Sequence, residues 1–452
     1  MKQVKRRTWF CLLFTALLAI GASLFLARYL THGADWASFR ANKHIYSQSG
    51  QLISGTILDR SGNMLYDAAS GAYSDDANVR RATLHAVGDS AGNIATGAKT
   101  VFSGKLGGFN PILGTTGGGH DLYLTIDADL NAAAYKALNG RKGAVGVYNY
   151  KTGELLCMVS APAFDPADPP EIRDGDARYE GVYINRFLSS SFTPGSVFKV
   201  VTTAAAIENI DDLFSRTFTC TGSVEIGGQK ITCPSVHGTM DIYGALANSC
   251  NCVYAQLAVE LGGDTLARYA EQAGLLDSLS VSGIDTAAGS FTAAEDGSAD
   301  LGWSGVGQYN DLVNPCAMMT FMGTIANDGT QVLPRLIYRE TTAAGLPAGL
   351  YRAEKHAGVF SEETCDLLQD MMRSNVVDHY GQSQFGDLAV CAKSGTAEVG
   401  SGQRPHAWFA GFVDDPAHPL AFVVLVENGG SGASVAGSIA AQVLSTAAAA
   451  GY

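Results

Sequence analysis

What the chain is short of narrows the field first. It has no surplus of basic residues: 30 Lys and Arg face 43 Asp and Glu, a formal net charge of -13. That balance argues against nucleic acid as the main partner, because a phosphate backbone is held by cationic side chains. It argues equally against non-specific attachment to an anionic surface. Beyond the N-terminus, no second apolar run of comparable length recurs. Cysteine is not scarce, at nine residues, but no common zinc-ligand spacing occurs among them. Cys220 and Cys233 bracket a short Gly-rich, strand-like segment, and Cys250 and Cys252 could join them. The expected reading is small buried residues or one structural disulfide, with no metal and no cofactor.

What is there begins at the N-terminus. Lys2, Lys5, Arg6 and Arg7 precede an uncharged apolar run from Thr8 to Ala27, long enough for a helix to cross a hydrocarbon core. The positive-inside rule then keeps residues 1–7 in the cytoplasm and puts everything after Arg28 outside. A cleaved signal peptide is the rival. Its apolar core would be shorter and followed by a small-x-small site, whereas bulky Leu24-Phe25-Leu26 and Arg28-Tyr29-Leu30 stand here. With 452 residues and 46% hydrophobic content, the remainder can bury a large core in more than one domain.

Residues 28–119 are rich in Gly, Ser and Ala and read as a small, mostly β stalk. Thr56 to Leu65 reads as strand, turn and strand, His85-Ala86-Val87-Gly88-Asp89 as a strand end, and Thr115-Thr116-Gly117-Gly118-Gly119 as a linker. Residues 120–452 form the main domain. A strand at Leu122–Ile126 leads to a helix capped by Asp127 and running to Leu138. Ala144–Tyr150 and Glu154–Ser160 are strands of a hairpin turned by Lys151-Thr152-Gly153. The middle, about 185–372, is mainly helix and loop. Three strands return at Leu388–Val399, His406–Val413 and Leu420–Glu427, and an Ala-rich helix runs over Ser434–Ala449. Two early and three late strands imply one five-stranded antiparallel sheet, closed by both ends of the domain and flanked by helices, with an all-helical insertion: an α+β fold.

Three short motifs lie across that frame. Thr193-Pro194-Gly195-Ser196-Val197-Phe198-Lys199 opens a buried, Ala-rich helix, where a serine and a lysine three apart share one face. That pairing suits a serine nucleophile with a lysine base, and the positive end of the helix favours a developing alkoxide. Ser249-Cys250-Asn251 falls between two helical patterns, and Lys393-Ser394-Gly395-Thr396 lies in an apolar strand, with Gly395 permitting close approach of a ligand to the backbone. Each is weak alone; order, spacing and context agree. Lys151-Thr152-Gly153 and Ser61-Gly62-Asn63 match by letters but read as turns. His406 reads as structural, and His85 and His237 have no identifiable partner.

On these residues the chain resembles a class B penicillin-binding protein, a peptidoglycan D,D-transpeptidase. Asn185-Arg186, Gly307-Gln308 with Asn314-Pro315, Ala326-Asn327-Asp328-Gly329 and His406-Ala407-Trp408-Phe409-Ala410-Gly411-Phe412 extend the likeness, which covers roughly Leu122 to the end. It reaches the stalk only through Gly55 to Gly62, where Ser54 stands in place of the family's usual arginine. The resemblance implies a penicillin-binding, serine β-lactamase-like transpeptidase fold and the D-Ala-D-Ala end of stem peptides as substrate. It implies Ser196 as nucleophile, Lys199 as a neutral base and Ser249 as proton relay. Asn251 would steady Lys199 and the substrate, and Lys393, Ser394, Gly395 and Thr396 would receive the terminal carboxylate and carbonyl. It also implies acylation by β-lactams and partnership with a multi-spanning glycan polymerase. Carboxypeptidase activity differs only in whether water or an amine resolves the acyl-enzyme, which these residues leave open. A β-lactamase with a deacylating glutamate would need a Glu-x-x-Leu-Asn pattern between the second and third motifs, and none occurs. A receptor would need more than seven residues before the span, and an inactive scaffold would be expected to lose motif residues.

Overall fold

A computed structural model describes residues 2–37, 54–110, 114–115, 118–400 and 402–452. The N-terminal helix α1 runs over Lys2–Ala37, longer than the predicted 8–27 because neither flank carries a proline and a single glycine, Gly33, is not enough to end it. Its stretch Gln3–Gly33, with a mean hydropathy of 2.4 and no part of its apolar core buried against the chain, is long and apolar enough to cross a membrane. A second segment, Gly432–Ala449, also passes that test at a mean hydropathy of 1.2, contrary to the expectation of a single such run. It is 44% buried, as a core helix is.

The segment after residue 53 is more helical than expected. Strands β1 (Thr56–Leu58) and β2 (Met64–Asp67) form the predicted hairpin around Asp59, whose carboxylate accepts from the amides of Ser61 and Asn63. The short helices Ala77–Ala82, Leu84–Val87, Ala98–Val101 and Ser103–Leu106 follow. His85, read as part of a strand end, is in the second of these. Asp76 caps the first turn by accepting from Asn78, and helices of four to six residues are too short to show periodicity in sequence. Part of the predicted linker at 115–119 lies outside the described residues.

Strand β3 (Asp121–Leu124) leads to helix α2 (Ala128–Leu138), capped by the Asp127 carboxylate on the amide of Leu130. The main sheet contains β4 (Gly143–Asn149), β5 (Leu155–Ala161) and, much later, β7 (Val390–Ala397), β8 (His406–Val413) and β9 (Leu420–Val426), ordered β7-β8-β9-β4-β5 and antiparallel throughout. Both faces are covered. Ala421, Val423 and Leu425 point into one core, while Leu420, Phe422, Val424 and Val426 point into another. A strand buried on both faces reads as a continuous apolar run, and Leu-Ala-Phe-Val-Val-Leu-Val does. Helix α6 (Pro315–Ala326) fills the first face; α2 and the C-terminal α8 (Gly437–Ala449) cover the second.

Between β5 and β7 lie α3 (Lys199–Asn209), α4 (Ile242–Ala247), α5 (Asn251–Leu261) and α7 (Glu362–Ser374), with small hairpins over 218–240. Strand β6 (Ile337–Thr341) pairs antiparallel with β3, and β3 pairs in parallel with β1. A four-stranded sheet thus draws on the stalk and on both early and late parts of the main domain.

Candidate active site

Pro194 and Gly195 turn the chain into a 3-10 segment, Gly195–Phe198, that runs straight into α3 at Lys199. Gly195 needs φ +56°, and its amide donates to the carbonyl of Gly307 at 2.8 Å. A single turn then separates the half-buried Ser196 from the fully buried Lys199 on one face.

The Lys199 ammonium donates to the Ser249 carbonyl at 2.6 Å, the Ser249 hydroxyl at 3.1 Å and the Asn251 amide oxygen at 2.8 Å. Asn251 has one orientation open to it, because its Nδ2 donates to the carbonyl of Thr232 at 3.0 Å. Ser249 sits in the tight turn between α4 and α5 at φ +52°, a left-handed conformation uncommon for a serine. From the sheet side, the fully buried Lys393 of β7 donates to the same Ser249 hydroxyl at 3.0 Å and to the Ser394 carbonyl at 2.8 Å. Two amines from separate segments thus share one hydroxyl.

Two ammonium groups this close and this buried do not both hold a proton comfortably. Burial first, and then the neighbouring Lys393, push Lys199 well below its usual range. Burial lowers Lys393 to about 7. Lys199 feels burial and a like charge together, and both favour its giving up the proton.

Ser196, Ser249, Asn251, Ser394 and Thr396 line one cleft of about 710 Å³. Gly395 serves the protein before it serves a ligand: a Cβ there would meet the Pro194 carbonyl at 2.9 Å and Val197 at 3.1 Å, so it lets β7 lie against the turn carrying Ser196. The Ser394 hydroxyl donates to Tyr380 at 3.0 Å, and the Thr396 hydroxyl accepts from the amide of Gly432 at 3.4 Å. Tyr380, which also accepts from the Ser394 amide at 3.1 Å, escaped the sequence reading. It lies in a π-helical turn, Asn375–Tyr380, that no residue pattern announces. Thr232, Cys233, Trp303, Gln308, Tyr309 and Glu398 line the cleft as well. Of these, only Gln308 belonged to a quoted motif.

The residues set aside lie where turn chemistry puts them. Asn149 accepts from the amides of Lys151 and Thr152 in the β4–β5 hairpin. His406 accepts from the Asn428 amide at 3.1 Å and meets the Phe192 ring edge to face, with burial lowering its pKa. His85 is buried on the Val182 carbonyl at 2.8 Å. His237, by contrast, has a neighbour, Cys233, at 3.4 Å.

The description "Penicillin binding protein transpeptidase domain" belongs to a family model that matches residues 143–445. The peptidoglycan D,D-transpeptidase PbpA of Mycolicibacterium smegmatis is 29% identical over 357 residues, which is 73% of this chain and 72% of that protein. Among solved structures, the D,D-transpeptidase domain of a peptidoglycan glycosyltransferase from Eggerthella lenta aligns with a TM-score of 0.75 and 27% identity, over 88% of this chain and 98% of the other. Penicillin-binding protein A from M. tuberculosis, as a ceftriaxone acyl-enzyme complex, aligns with a TM-score of 0.77 over 87% and 98% of the two chains. At 24% identity, that likeness bears on the fold alone.

Proposed function

Because the chain belongs to the penicillin-binding protein transpeptidase family, we propose that it is a membrane-anchored peptidoglycan D,D-transpeptidase, working through a serine acyl-enzyme that β-lactams also form. The observation that carries this reading is the meeting of Lys199, Ser249, Asn251 and Lys393 within hydrogen-bond reach, with Ser249 and Asn251 lining the same cleft as Ser196.

The Ser196 hydroxyl attacks the penultimate D-alanyl carbonyl of a stem peptide, and Lys199, held neutral, takes the proton. The backbone N–H groups of Ser196 and Thr396 receive the oxyanion, at roughly 3 kcal/mol per donor. The C–N bond to the terminal D-alanine breaks, and the departing amine collects a proton through Ser249. An amine of a second stem peptide then attacks the ester, forms the cross-link and returns Ser196. Lys393, whose charge is finely balanced in the free protein, is drawn fully protonated by the arriving carboxylate. Ser394, Gly395 and Thr396 complete that subsite. No step calls on a metal or an organic cofactor.

Labelling with a fluorescent penicillin, wild type against Ser196→Ala, tests the nucleophile: the label should vanish, and persistent labelling would overturn the assignment. Stem peptide with a D-amino acid acceptor then separates aminolysis from hydrolysis.

In cells, residues 1–7 lie in the cytoplasm, 8–27 anchor the chain, 28–119 form a pedestal and 120–452 the extracytoplasmic transpeptidase domain. Anchor and pedestal meet a multi-spanning glycan polymerase. Removing residues 1–119 should lower cellular cross-linking, measured by muropeptide analysis; unchanged cross-linking would exclude that partnership.

A further inference from the structure

The cysteines match no common zinc spacing in sequence, which argued against a metal, but their placement in space points the other way. The thiols of Cys220, Cys233 and Cys250 and a ring nitrogen of His237 all lie within 4.8 Å of one another. Cys233 Sγ is 3.9 Å from Cys250 Sγ and 3.4 Å from His237 Nδ1. In a tetrahedral zinc site, with Zn–S near 2.3 Å and Zn–N near 2.0 Å, ligand atoms stand about 3.5–3.8 Å apart. We infer that Cys220, Cys233, His237 and Cys250 form a structural zinc site that fastens the hairpins over 218–240 to the Ser249–Asn251 turn.

Three observations support this beyond proximity. The ligands come from separate pieces of backbone that pairing brings together: Gly238 is registered opposite Cys220, which places His237 beside it, and Cys250 precedes α5. The Asn251 amide donates to Cys233 Sγ at 3.3 Å, the kind of outer hydrogen bond that steadies a metal thiolate. The hairpins also have little core of their own, since Cys220, Ile226 and Ile231 are the only buried side chains in their four strands. Segments so poor in apolar burial need a staple.

A disulfide is the competing staple. It would join two of the thiols at about 2.05 Å, and even with a second bond between Cys220 and the neighbouring Cys252 it would find no role for the imidazole. Three thiolates and one imidazole in a closed tetrahedron suit zinc among the divalent ions. On binding, the thiol protons leave to solvent and the sulfurs bind as thiolates. Because Cys250 separates Ser249 from Asn251, the metal would also set where those two side chains stand. That coupling to turnover rests on the reading proposed above; the metal site does not.

The test uses untagged full-length protein in detergent, purified without chelator. One zinc per chain by elemental mass spectrometry is expected, retained in Cys252→Ser and lost in His237→Ala. His237 is half-buried, so its variant should fold, as circular dichroism can verify. Cobalt-substituted wild type should show a thiolate-to-metal charge-transfer band, and chelator should lower the melting temperature of wild type but not of His237→Ala. Substoichiometric zinc in wild type, or zinc undiminished by His237→Ala, would overturn the site. So would non-reducing alkylation showing Cys233 and Cys250 already joined. Loss of zinc with unchanged acylation would leave the site standing and sever only its link to the Ser249–Asn251 turn.

Discussion

Ser249 Oγ accepts from both Lys199 and Lys393, so its own proton is free to point into the cleft. Protonation of the two lysines should therefore be legible in kinetics. Acylation needs Lys199 neutral, so the rate at saturating penicillin should rise with pH through a pKa far below the usual 10.5. Capture of the carboxylate needs Lys393 charged, so the second-order rate should fall again above about 7. Lys393→Met removes the falling limb. It also moves the rising limb to higher pH, since one of the two influences depressing Lys199 is gone. A rising limb that stays put in Lys393→Met would show that the two amines do not sense each other. The motif residues were readable because each couples an unusual residue type to a local pattern. Tyr380 and the φ of Ser249 were not, because no residue pattern announces a π-helical turn or a left-handed serine, and the cysteine–histidine quartet was not, because it depends on separate segments meeting.

Among the elements, the main sheet was the most legible part. Burial on both faces writes β4, β5, β8 and β9 as unbroken apolar runs, and turn chemistry at Asn149 and Gly153 marks the hairpin. The short helices after residue 76 left no such trace. Strand β7 shows how little tolerance the arrangement leaves. In Gly395→Ala the new methyl would press on the Pro194 carbonyl, Trp408 and Val197, and only a shift of β7 away from the nucleophile turn relieves it. Penicillin acylation should fall by about 10–100-fold, while overpacking costs stability about 1–3 kcal/mol. Stopped-flow acylation and thermal unfolding measure the two separately. Near wild-type acylation would mean that the close approach of β7 is dispensable.

At the scale of the whole molecule, the stalk and main domain are joined by charge as well as by strands. Arg80 makes two bonds of 2.6 Å to the Asp165 carboxylate, and Arg60 and Arg335 share Glu154. Glu340 of β6, 3% exposed, holds Lys105 at 2.8 Å as well as His120 and Tyr351. Glu340→Gln should lower stability by about 1–3 kcal/mol, the low side for a buried pair because Lys105 is 39% exposed and can rehydrate. Calorimetry of the full chain reads this out; an unchanged melting temperature would remove Glu340 as a tie between the two parts. None of these ties could be read from sequence, where their partners stand up to 235 positions apart.

The small mixed sheet has a mechanical consequence. Tension arriving along the backbone at residue 54 enters β1, which is bonded on one side to β2 and on the other, in parallel, to β3. Strands loaded along their length share the strain across their bonds together instead of unzipping them singly. From β3 the load passes to β6, which pairs antiparallel with it in the main domain. A tug at the bilayer would thus be spread over four strands, two from the stalk and two from the main domain, before it could reach the cleft.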